Sequence, residues 1–132
     1  MRSLYKIFTP VFLLFMFASS QVFAKEAYSQ QRFDALQQAG EVVLVDVYAP
    51  WCPTCRQQQH AIEAYRKANP GKDFYVLVVD FDEDKHLVRQ FRAPRQSTLL
   101  IYKNNERVWF SVAETRAEVI AKELDKAIGT QG

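Results

Sequence analysis

Val42 to Tyr48 constrain this chain most: Val-Val-Leu-Val-Asp-Val-Tyr is a nearly unbroken apolar, β-branched run. A strand with one wet face alternates apolar and polar residues, whereas a continuous run fits a strand covered on both faces. Such a strand needs helices above and below it, which points to an α/β domain. Its one charged member, Asp46, is out of character there and becomes a candidate functional residue.

The run leads directly into Trp51-Cys52-Pro53-Thr54-Cys55, which holds the only two cysteines of the 132 residues. A polar, helix-compatible stretch follows, from Arg56 to Ala68. Cysteines at i and i+3 share one helix face. At a helix start, unpaired N–H groups and a partial positive charge stabilise a thiolate. A thiol pair placed there can open and close a disulfide. A disulfide closing so short a loop restricts the unfolded chain little, so a purely structural staple is the weaker reading.

The first 24 residues read as an address. Arg2 and Lys6 charge the start, an apolar core runs from Ile7 to Phe17, and Val22-Phe23-Ala24 places small residues before a cut after Ala24. That is the pattern of a secretory signal peptide; a retained anchor is the alternative. The expected domains are therefore a signal peptide, 1–24, and one soluble domain, 25–132, periplasmic or secreted. Without Arg2 and Lys6 the charges balance, 15 basic against 15 acidic, so nothing in the net charge argues for nucleic acid.

Periodicity and turn residues predict the rest. Helices are expected at Ser29–Ala39, Cys52–Ala68, from Asp82-Glu83-Asp84 through Phe91, and at Arg116–Ile128. Strands are expected at Val42–Tyr48, Phe74–Asp80, Thr98–Tyr102 and Val108–Ser111, with Asn104-Asn105 turning the last two into a hairpin. The first two strands are joined by a helix and should be parallel. The expected fold is a mixed central sheet of about four strands with helices on both faces.

This order, with Trp-Cys-x-x-Cys closing the first strong strand, resembles thioredoxin. Val45 to Cys52 is similar to that family's strand and active-site approach, including an acid six residues before the first cysteine. Thr98 to Asn104 is similar to the strand and turn after the family's cis-proline loop. The Pro53-Thr54 dipeptide resembles the motif of periplasmic reductases that serve cytochrome c maturation. Three positions depart from the family. Ser97 stands where it has the cis-proline, Val78 where it has a lysine near the buried acid, and Ala113 near a glycine of the substrate groove.

The resemblance implies an exported thiol–disulfide oxidoreductase that exchanges disulfides with protein partners, as a reductant. Its catalytic residues would be Cys52 as the more exposed nucleophile, Cys55 as the resolving thiol, and Asp46 as a buried carboxyl of raised pKa that takes the Cys55 proton. Substrate contacts fall to Trp51, packed at the rim, and to Pro53, Thr54, Gln96, Ser97 and Thr98. The Gln96–Ser97 bond is expected to be trans, since a non-proline cis bond costs about 3–4 kcal/mol. The Ser97 hydroxyl is expected near the Cys52 sulfur.

No dissociable cofactor is implied beyond the Cys52–Cys55 disulfide. The partners would be protein thiols and disulfides and a membrane electron donor, with the protein acting as a monomer. Three rivals remain: a disulfide-donating oxidase of the same fold, a thiolate Cu(I)-binding or delivery protein, and a non-catalytic interaction module. Cys52, Cys55, His60 and His86 lack the spacing of a structural zinc site, so no metal is assigned. Asp80, Asp82, Glu83 and Asp84 lack that of a calcium loop.

Overall fold

The computed structural model describes residues 25–129. The leader reading, 1–24, lies outside the described residues. Five strands, β1 (Glu26–Ala27), β2 (Val43–Tyr48), β3 (Tyr75–Asp80), β4 (Thr98–Lys103) and β5 (Glu106–Val112), form one sheet in the order β1-β3-β2-β4-β5. Helices α1 (Gln30–Gln38), α2 (Pro53–Ala68), α3 (Lys85–Gln90) and α4 (Ala117–Gly129) complete the domain. β2 runs parallel to β3 and antiparallel to β4, and β4 and β5 form the antiparallel hairpin.

The sheet has five strands rather than four. The extra member, β1, pairs in parallel with β3 through Glu26 and Ala27 alone. Two residues carry no period, so periodicity could not reveal it.

β2 lies between two cores. Val43, Val45 and Val47 pack with Phe33 and Leu36 of α1 and Leu87 and Val88 of α3. Leu44 packs with Ala61, Ile62 and Tyr65 of α2 and Ile120 and Leu124 of α4. Asp46 alternates in phase with Leu44, which turns it toward the α2/α4 side. Its register partners are the apolar residues Val78 on β3 and Leu99 on β4.

Local chemistry sets the element ends. The Ser29 hydroxyl caps α1 by accepting from the Arg32 N–H at 3.2 Å. Gly40, with φ +76°, takes the left-handed conformation that follows α1. Asn104 and Asn105, at φ +51° and +62°, make the hairpin turn. Contrary to the expectation above, Asp82-Glu83-Asp84 do not form the first turn of α3. Instead Asp80 Oδ1 accepts from the N–H groups of Asp82 and Glu83, and α3 begins only at Lys85. Short side-chain acceptors compete with the helix for nearby backbone donors, which favours a turn here. Among the described residues, no helix is long and apolar enough to cross a membrane.

Candidate active site

The site forms where β2 gives way to α2. Cys52 is the N-cap of α2, with Pro53 in the first turn, where a missing N–H costs nothing. The Cys52 sulfur plays the part usually taken by a serine or aspartate oxygen: it accepts the Cys55 N–H at 3.1 Å. No disulfide joins the two cysteines in this structure. Cys55 lies one turn along, fully buried, beside Ala49.

The loop before β4 closes the site from the opposite side. Ser97 Oγ lies 3.1 Å from Cys52 Sγ and 3.3 Å from Cys55 Sγ. The Gln96–Ser97 bond is trans, since the described residues contain no cis peptide, and Ser97 adopts φ +66°. Its backbone is held at both ends. The Ser97 N–H donates to Val47 O at 2.9 Å, while Ser97 O accepts from the Ala113 N–H at 2.9 Å and from Gln58 Nε2 at 3.0 Å.

Gln58 is a residue that sequence reasoning missed. It is buried, and its amide nitrogen also donates to Glu114 O at 3.0 Å, so one side chain of α2 ties together the two loops that flank β4 and β5. Its position three residues after Cys55, on the same helix face, was the available signal.

The two sulfurs sit in unequal fields. Burial alone would raise the Cys52 pKa. Hydrogen bonds from Cys55, the Ser97 hydroxyl and the Cys55 and Thr54 backbone outweigh it, and the thiol falls below its ordinary value. Cys55 moves the other way, chiefly through burial and then through the neighbouring Cys52. Asp46 is buried, with no protein hydrogen-bond partner on either oxygen. Burial pushes its carboxyl up to about 6, against a partial offset from the nearby Gln59 amide and the Lys25 charge.

Cys52 is the more exposed of the two cysteines, though at 2 % only by a small margin. Two expectations need correction. Trp51 is not packed at the rim: it is 56 % exposed and held by a hydrogen bond from its indole N–H to Asp82 Oδ2 at 2.7 Å. Thr98 is buried, with its hydroxyl donating to Arg95 O at 2.6 Å, which leaves that side chain no surface for a substrate. Pro53 is exposed, while Thr54 and Gln96 are half-buried. His60 and His86 are exposed, and no group of three metal-ligating side chains occurs among the described residues. Ala113, at φ +59°, holds the left-handed conformation that a glycine adopts without strain.

The family model described as Thioredoxin matches residues 22–126. Thioredoxin-1 of Saccharomyces cerevisiae is 34% identical over 76 residues, 58% of this chain and 72% of that protein. Thioredoxin of Staphylococcus saprophyticus is 33% identical over 100 residues, 73% of this chain and 94% of that protein. Among solved structures, Trxlp from Edwardsiella tarda EIB202 superposes with a TM-score of 0.71 at 38% identity, covering 76% of this chain and 98% of that one. With that sheet order, a Cys-x-x-Cys pair heading α2 and a match over most of its length, the chain belongs to the thioredoxin family of thiol–disulfide oxidoreductases.

Proposed function

We propose that this protein is an exported protein-disulfide reductase that uses Cys52 as nucleophile and Cys55 as resolving thiol. The observation that carries the reading is the asymmetry of the pair. Cys52 Sγ receives a backbone N–H at the head of a helix and has its thiolate favoured, while Cys55 is buried with its thiol held protonated. The Cys52 thiolate attacks a substrate disulfide, forms a mixed disulfide and expels one substrate sulfur, which takes a proton from solvent. Cys55 then loses its proton and attacks Cys52 Sγ. The Cys52–Cys55 disulfide forms, and the electron pair of the broken bond leaves on the second substrate sulfur. Asp46 is the proposed acceptor of the Cys55 proton. With its carboxyl pushed to about 6, it is ionised at neutral pH and can act as a base.

The leader-like start, 1–24, supports export, and an exported reductant needs electrons from a membrane donor. The Pro53-Thr54 dipeptide supports the reducing direction. Trapping tests the mechanism: Cys55→Ser should accumulate mixed disulfides with partner proteins in cells, and Cys52→Ser should not. A Cys55→Ser protein that forms no adducts while Cys52 remains alkylatable would overturn the assignment. The reduction potential tests the direction. A value near the roughly −270 mV of thioredoxin supports reduction, and one near the roughly −120 mV of a strong oxidant makes the protein a disulfide donor.

A further inference from the structure

Every backbone group of Ser97 is engaged, and its side chain ends between two sulfurs. The N–H is bound to Val47, and the carbonyl is bound by Ala113 and Gln58. That leaves one soft coordinate, rotation of the hydroxyl proton. The two sulfurs lie at 3.1 and 3.3 Å, so the proton can turn from one to the other with no heavy atom moving.

From this geometry we infer that the Ser97 hydroxyl is a switching hydrogen-bond donor, serving the Cys52 thiolate before attack and the Cys55 thiolate during resolution. The inference rests on the reductase reading and goes further by assigning Ser97 a positioning role in both half-reactions.

The chemistry of each stage selects the acceptor. In the reduced protein the negative charge is on Cys52, and a hydroxyl donates preferentially to an anion. Once Cys52 Sγ is bonded to a substrate sulfur it is neutral and a weak acceptor. The anion that must form next is on Cys55, whose thiol is held protonated by burial. The Cys55 N–H is spent on Cys52 Sγ, and the Ala49 backbone supplies one contact. The Ser97 hydroxyl is the second. No proton leaves Ser97 in either stage: the Cys55 proton goes to the base or to solvent, and the departing substrate thiolate is protonated by solvent. Asp46, from β2, and Tyr65, from α2, are titratable side chains on this side of the sheet, as is Lys103, which donates to Ala127 O of α4; all stay unchanged in the variants below.

The experiment uses Ser97→Ala, which removes only the hydroxyl, with Ser97→Gly, which also removes Cβ but suits φ +66°, as a second variant. The pH dependence of Cys52 alkylation by iodoacetamide is measured for the reduced proteins. Loss of the donor should raise the midpoint by about one unit, the tenfold effect typical of a hydrogen bond to a charged group. A merely structural change would alter the limiting rate and leave the midpoint in place. In parallel, rapid quenching and mass spectrometry follow the mixed disulfide formed with oxidised glutathione. Its lifetime should lengthen by about tenfold by the same argument.

An unchanged midpoint in both variants overturns the first role, and an unchanged lifetime overturns the second. The wild-type protein separates this from the reductase reading. If it fails to reduce a disulfide-bonded test protein, the reductase assignment falls, while the alkylation midpoint still decides the thiolate contact.

Discussion

Asp46 couples the site to stability at the scale of a single side chain. Its carboxyl rises from 3.8 to about 6 on folding because burial penalises the charge. Well below pH 3.8 the group is neutral in both folded and unfolded chains and costs nothing. As pH rises through 6 the folded protein must ionise a buried acid, so stability is lost across pH 4–6 and stays lost above it. Asp46→Asn should therefore stabilise the protein at pH 7 by up to about 3 kcal/mol and give almost no gain at pH 3.5. Urea denaturation at both pH values checks this. The same variant should slow resolution of the mixed disulfide at pH 7, since it removes the proposed proton acceptor. Asp46 was legible in the sequence because a charge interrupts an apolar run. The φ of Ser97 and the exposure of Trp51 were not, because both depend on how distant loops close over the end of α2.

At the scale of elements, α2 both presents the cysteines and fastens the loops opposite them. Gln58 holds Ser97 O and Glu114 O with one amide nitrogen, at 3.0 Å each. Gln58→Leu removes that donor and leaves Glu114 O short of a buried partner. It should cost about 1–3 kcal/mol, measured by denaturant unfolding. Amide exchange at Ala113, which donates to Ser97 O, should speed up in the same variant. Helix and strand identities were readable from period and caps, because each is decided by neighbours within a few residues. The role of Gln58 was not. A glutamine on a polar helix reads as a solvated residue until the sheet order shows which loops lie beneath it. The acids after β3 misled for the opposite reason: their short side chains satisfy a turn, and the helix waits until Lys85.

At the scale of the whole molecule, β2 and β4 belong to both cores at once. Leu100 of β4 packs on the α1/α3 side, and Leu99 and Ile101 pack on the α2/α4 side. Neither core can open without breaking the strands that support the other, so the domain should unfold as one unit. Leu99→Ala and Leu100→Ala, on opposite faces, should each cost about 2–5 kcal/mol. In both variants the far-ultraviolet dichroism and tryptophan fluorescence transitions should coincide, and separated transitions would show two independent halves.

The cover over Cys52 has a kinetic consequence. A nucleophile 2 % exposed cannot meet a disulfide until the site opens, so collision with solvent-borne reagents is mostly fruitless. The resting reduced protein is in effect a sieve. It should react sluggishly with large maleimides relative to iodoacetamide at equal thiolate fraction.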